Sequence, residues 1–323
     1  MAVVGAIVGA GAAAVVGASV AVIVGAAVVG AVIFDYASDL LTPSIPGTPI
    51  TPVTPDFGKN SVASGILTNK AANDEPIPII YGQRKVGGTR VLLEVTGTDN
   101  EFLHMVLSIS EGEINSFENI YLNDVLSTDA KFSGFLDVYK HTGSITQVAD
   151  SNLVSAVSGW TSNHQLKGTA YVYLKFKYDQ DVFASGLPTI TADVKGVKVY
   201  DSRTTATAWS DNPALCVRDY LTNTRYGRGI ETILIDDVTF NAAANYCDEL
   251  VTIGGVSKKR YTCNGVVDTS SGSMDILKKL LTSCRGFLIF SGGKYKLVIN
   301  KPETANFTFS EDNIIGSWSI SMG

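Results

Sequence analysis

The sequence is poor in the residues that do chemistry. Only three histidines occur in 323 residues, His104, His141 and His164, and none forms an HExxH or similar pair. Only four cysteines occur, Cys216, Cys247, Cys263 and Cys284, with no CxxC spacing and no histidine near them in the chain. A tetrahedral zinc site normally shows short ligand spacings, so this pattern argues against one. Three of the cysteines fall on the apolar faces of predicted helices. All four read as small buried hydrophobes, free thiols made in a reducing cytosol. No P-loop, no dinucleotide fingerprint in a strand–helix context and no nucleophile elbow is present. The sequence offers no enzyme and implies no cofactor or metal.

Charge is scarce as well, at 17% of residues with a net of −6. A nucleic-acid binder needs a clustered basic face. The longest basic run is Lys258-Lys259-Arg260, which reads as a solvated loop, so no sequence-specific nucleic-acid binding is expected. The scarcity is greatest at the start. Residues 1–34 carry no charge and no leucine, Asp35 is the first ionisable side chain, and no Lys or Arg appears before Lys59. A signal peptide needs a basic leader and an apolar run of only ~7–15 residues, which this is not. A membrane span needs ~20 apolar residues. The length suffices, but Ala and Gly dominate, so the driving force for lipid is modest, and basic sorting charges are missing.

What the opening segment has is a ridge. Gly5, Gly9, Ala13, Gly17, Ala21 and Gly25 recur every four residues, along one face of a helix. Such ridges let helix backbones approach closely. Val, Ile and Ala fill the other faces, and a helix apolar all round must be buried, in lipid or in protein. At ~1.5 Å per residue it would span roughly 50 Å. Residues 1–34 are therefore expected to be an apolar helical segment that packs on copies of itself. Residues 35–60 follow as a spacer. Pro43, Pro46, Pro49, Pro52 and Pro55 fall at every third position, one edge of a polyproline II strut that holds the segment away from the folded body.

The body divides into a β-rich domain, 61–208, and an α+β domain, 209–323. In the first, FLHMVLSIS, TAYVYLKFKY and ITADVKGVKVYD read as strands, with Lys175 and Lys177 on a wet face. Residues 140–165 are a polar excursion with a short helix at 150–158. Many short strands suggest a barrel-like or sandwich domain, so the fold class is α+β, mainly β. In the second domain, Asn212-Pro213 starts a helix that stops near Thr222-Asn223. Thr239 caps a helix whose face includes Phe240, Ala243, Ala244, Cys247 and Leu250. A third helix follows Ser273 and stops at Gly286, ahead of the hairpin FLIF-SGG-KYKLVIN. Asp236-Asp237 suits a helix dipole. Glu111 and Glu113 flank a glycine beside a turn and read as solvated carboxylates. A glycosidase pair needs only closeness in space, and nothing else in the sequence points to one. His104 lies in a strand as a satisfied structural residue.

Three phrases, EPIPIIYGQRKVGGTRV (75–91), NPALCVRDYLTNTRYGRGI (212–230) and MDILKKLLTSCRGFLIFSGGKYKLVINKP (274–302), in this order together resemble the tail tip attachment proteins of long-tailed bacteriophages, the J-like central hub of the tail tip. The resemblance covers 61–323. It implies a homotrimeric hub at the distal end of the virion tail, made in the host cytoplasm. Its neighbours would be the distal tail protein, the tail tube and the tape measure protein. It would organise tail assembly, close the tube and open for DNA ejection. Family members usually continue into receptor-binding parts. This chain stops just after a predicted strand, so receptor recognition is not assigned to it. On this reading residues 1–34 plug the tube or, during ejection, contact the host membrane. The alternative is a membrane-anchored surface protein with an N-terminal helix, proline stalk and β-rich ectodomain, which leaves the three phrases unexplained.

Overall fold

The computed structural model describes residues 69–70, 75–184 and 186–303, with positions 310 and 316. The ridge from Gly5 to Gly25 and the spacer prolines from Pro43 to Pro55 lie outside these residues. In chain order the strands of the first part are β1 (Ile79–Tyr81), β2 (Gln83–Val86), β3 (Thr89–Thr96), β4 (Phe102–Glu111), β5 (Ile114–Leu122), β6 (Val125–Leu126) and β7 (Leu136–His141). Helix α1 (Ser151–Ala156) precedes β8 (Thr169–Lys177), β9 (Ile190–Asp201) and β10 (Ala206–Trp209). Then come α2 (Pro213–Thr222), α3 (Asp237–Asp248), β11 (Leu250–Ile253), β12 (Val256–Lys259), β13 (Gly265–Val267), α4 (Ser273–Thr282), β14 (Gly286–Ser291) and β15 (Lys294–Ile299). The mainly β, α+β class expected from the sequence is what the chain adopts. Of the barrel-like or sandwich arrangement expected for the first part, strands β2 to β10 among the described residues form two separate antiparallel sheets around one core, a sandwich.

One sheet has the order β3-β4-β8-β7, and the other runs β10-β9-β5-β6 with β2 also on β9. They share a core. Met105, Leu107 and Ile109 of β4 and Val172, Leu174 and Phe176 of β8 face Ile114, Ile120 and Leu122 of β5 and Ile190, Ala192 and Val194 of β9. The alternation that fills this core sends Val106, Tyr171 and Tyr173 to the opposite face. That face is not wet at this point. The polar excursion folds over it, with Leu153 and Val157 around α1 and with Trp160 packed onto the tyrosines. Asp150 caps α1 by accepting from the Leu153 amide at 2.9 Å and holds His141 at 2.7 Å, so the excursion is fastened at its base. Lys175 and Lys177 lie further along β8, where the face opens to solvent.

A second core gathers α2, α3 and α4 against β13 and β15. Two strands belong to both cores. In β1, Ile79 and Tyr81 point into the helical core and Ile80 into the sandwich. In β9, Ile190, Ala192 and Val194 serve the sandwich, and beyond Gly196 the odd positions Val197 and Val199 serve the helices. The period of two along a strand lets one strand act as a wall with a core on each side.

Local chemistry sets the helix ends. Asn212 caps α2, its Oδ1 accepting from the Ala214 amide at 3.0 Å, with Pro213 at the first turn, as the sequence indicated. Two expectations need correcting. Asp236, not Thr239, caps α3, accepting from the amides of Val238 at 3.1 Å and Thr239 at 3.3 Å. A carboxylate there also meets the positive end of the helix dipole. The stop after α4 is not Gly286. Arg285 takes the left-handed conformation (φ 56°), and Gly286 already begins β14.

Candidate functional site

The three phrases meet in space at one junction. Phrase one supplies β1, phrase two supplies α2 and the turn after it, and phrase three supplies α4 and the β14–β15 hairpin. At the centre is Asp219 of α2. Its Oδ2 accepts a hydrogen bond from the Tyr81 hydroxyl at 2.7 Å and from the Tyr226 hydroxyl at 2.9 Å. Tyr81 is fully buried. Burial holds the Asp219 carboxyl above the usual carboxylate range, while the two hydroxyls pull it back down. The same burial pushes the Tyr81 hydroxyl up. A phenol donor against a desolvated carboxylate is a charge-assisted bond, stronger than a neutral one.

The turn after α2 extends the junction. Arg225 pairs through its Nε with Glu111 and donates from Nη1 to the Lys167 carbonyl at 3.1 Å. Arg228 reaches Ser273, at the start of α4, at 3.0 Å. Glu113 pairs with Lys198 of β9 at 2.6 Å. The two carboxylates that read as solvated are therefore both occupied by cations, and each ties the sandwich side of the wall to its surroundings. Neither is positioned as a free acid or base.

Close backbone approach fixes the wall itself. A Cβ at Gly196 would lie 1.9 Å from the Ile80 carbonyl oxygen, so only glycine lets β1 cross β9 there. Gly82 follows β1 with φ 68°, and its carbonyl accepts from the Gly196 amide at 2.7 Å and from the Trp209 indole at 3.1 Å.

The remaining titratable groups are structural. His104 sits between the Thr96 hydroxyl at 2.7 Å and the Tyr173 hydroxyl at 2.8 Å. Burial holds its pKa down, in keeping with a neutral, satisfied residue. All four cysteines are free and buried in the helical core. Burial raises the Cys216 thiol, which makes it unreactive. Among the described residues no group of three His, Cys, Asp or Glu side chains converges as a metal site, and no helix is long and apolar enough to cross a membrane.

Sequence reasoning missed Asp219. A signal was available: Asp219 lies among Val217, Tyr220 and Leu221 on a largely apolar helix, and an acid placed there needs a buried partner; its neighbour Arg218 pairs instead with Asp237. The partner, Tyr81, lies in another phrase, and no spacing rule connects them.

No family model matches the chain. Tip attachment protein J of Escherichia phage SECphi27 is 30% identical over 165 residues, covering 46% of this chain and 14% of that protein. Baseplate hub protein pb3 of Escherichia phage T5 is 21% identical over 307 residues, covering 71% of this chain and 32% of that protein. The chain thus spans well under two thirds of the length of either relative. A chain in the virion of a native gene transfer agent aligns with a TM-score of 0.42 and 19% identity, over 72% of this chain and 54% of that one, a likeness too loose to build on. The resemblance drawn from the three phrases holds in the sequence comparison: the chain is a relative of phage tail tip and baseplate hub proteins.

Proposed function

We propose that this chain is a structural component of a bacteriophage tail tip: a homotrimeric central hub that closes the tail tube, organises tail assembly and opens for DNA ejection. The observation that carries the reading is the packing of the three hub-like phrases into one core, with the first two tied by the Tyr81–Asp219–Tyr226 bonds, in a chain whose relatives are named for tail tips and baseplate hubs. The carboxylates that chemistry would need are engaged in ion pairs, which supports a non-enzymatic role. On this reading 61–208 and 209–323 are two hub domains. The partners are further copies of the chain, the distal tail protein, the tail tube and the tape measure protein. Residues 1–34 form a self-packing plug on the tube axis, held by the proline spacer, and contact the host membrane only on ejection. The chain resides at the distal end of the virion tail.

Electron cryomicroscopy of the native particle tests this reading. Three copies around the tube axis at the distal tip are the expected result. A chain found elsewhere in the particle, or recovered as a lipid-extracted monomer, overturns it. Deleting residues 2–34 should block tail assembly or ejection, and normal tails with normal ejection would remove the plug from the reading.

A further inference from the structure

Strands β11 and β12 form an arm. Among the described residues they pair only with each other, through a Gly254-Gly255 turn with φ of 59° and 79°. The base is anchored: Lys259 reaches Asp211 and Asp248, and Arg260 reaches Glu249. Beyond the base every side chain except Val251 is exposed. Leu250 is 68% exposed, Ile253 61% and Val256 53%. Ile253 and Val256 are direct cross-strand partners on one face with Val251. Lys258, on that same face, makes no ion pair among the described residues. An isolated two-stranded hairpin is marginal in water, and this one carries an apolar tip with a cation nearer its base on the same face.

A complementary surface lies along strand β3. β3 is an edge strand that, among the described residues, has no partner on its outer side beyond the bridge between Lys70 and Thr89. Leu93 and Val95 pair with Met105 and Leu103 and share their face, the one that fills the sandwich core. Yet Leu93 is 42% and Val95 49% exposed, because the opposing sheet does not reach this margin. Beside them Leu103, Phe176, Phe183 and Leu187 line an apolar groove of about 250 Å³. Glu101 and Asp99 adjoin it on one side and Lys177 on the other, all exposed and without ion pairs among the described residues. Among the described residues, the margin is an exposed end of a hydrophobic core with two carboxylates on one side and a strand edge without a partner.

We propose that the β11–β12 arm of one copy docks on the β3 margin of a second copy, its tip side chains Ile253 and Val256 entering the groove and Lys258 facing the two carboxylates. The occupant is a second copy because both halves of the contact are on this chain and match, among the described residues, in three respects: apolar tip with apolar groove, free cation with free carboxylates, and unpartnered hairpin edge with unpartnered sheet edge. Adding a strand to an exposed edge is a common mode of recognition. The contact is heterologous, since the arm and the margin are different surfaces, so successive copies must either close a ring or propagate. The proposal rests on the hub reading only in requiring that copies of the chain associate.

The test uses the full chain in solution, with mass measured by light scattering after gel filtration. Ile253→Asp, at the exposed tip, and Leu93→Asp, at the margin, are each expected to weaken self-association at least tenfold. The double variant Ile253→Cys with Val95→Cys is expected to give intersubunit disulfides on a non-reducing gel, above the level in either single variant. Ile253→Asp contacts no core residue, so unchanged thermal unfolding of the dissociated protein separates lost contact from lost fold. A wild-type chain that stays monomeric overturns the proposal. So does an oligomer that survives Ile253→Asp without forming the cross-link; a trimer of that kind leaves the hub reading standing and removes this contact.

Discussion

Replacing Tyr81 with Phe removes one hydroxyl and almost no volume, so its cost reports the bond to Asp219 alone. The donor is fully buried and the bond is 2.7 Å long. Hydrogen bonds to charged groups contribute about 1.5–3 kcal/mol. The carboxylate keeps Tyr226 at 2.9 Å, so it is not stranded, and a loss of about 2 kcal/mol is expected at pH values where the acid is ionised. The pH dependence gives a sharper check. Burial raises the Asp219 pKa in the fold above its unfolded value. The folded state therefore holds more protons than the unfolded one between those two values. Asp219 weakens stability as pH rises through that window, and the penalty is fully present above the folded pKa. Removing Tyr81's donor raises the folded pKa further and enlarges the penalty. As pH falls through the folded pKa the acid is neutral in both proteins, and the deficit should shrink to about 1 kcal/mol, the worth of a neutral bond. Urea unfolding of both proteins at several pH values measures this, with an unchanged m-value as the control. A deficit below about 0.5 kcal/mol where the acid is ionised, or one that does not vary with pH, would refute this account of Asp219.

Three further outcomes are expected. Gly196→Ala places a Cβ against the Ile80 carbonyl oxygen and should cost about 3 kcal/mol, at the upper end for overpacking because backbone cannot swing aside; calorimetry reads it as a lowered Tm. His104 has its pKa held down by burial, so stability should fall as pH drops from about 6.5 toward the folded value. His104→Gln should flatten that limb of a pH–stability curve. Glu111→Gln breaks the pair with a half-exposed Arg225 and should change stability by no more than about 1 kcal/mol, with no glycan-cleaving activity to lose in a reducing-sugar assay of wild type and variant.

What could be read from the chain was local. The cap on α2 was legible because Asn212 and Pro213 act on their immediate neighbours. His104 was legible as a satisfied residue because it sits between apolar strand neighbours. The caps of α3 and α4 were misread where two local solutions competed: Asp236 starts the helix about one turn before Thr239 would, and Arg285 accepted the left-handed conformation that a glycine beside it would have taken more cheaply. Burial on the outer face of β8 was not legible, because Tyr171 and Tyr173 are covered by the polar excursion rather than by an apolar element. The junction was half legible. Its three phrases stood out, and the Tyr81–Asp219 bond that joins two of them depends on tertiary placement that no spacing records.

The pairing of β1 with β13 sets an order on the birth of the molecule. Ile79 lies opposite Val267, so β1 leaves the ribosome long before its partner exists. The sheets built from β3 to β9 can assemble during synthesis, while Ile79 and Tyr81 keep an unpaired apolar face until β13 and the last helices emerge. Contacts this distant along the chain are formed late and slowly. The nascent protein is then exposed to mispairing at this strand for most of its synthesis, and chaperone binding during translation should concentrate on β1. Truncation before β13 should give a chain that builds its sheets yet stays prone to aggregate.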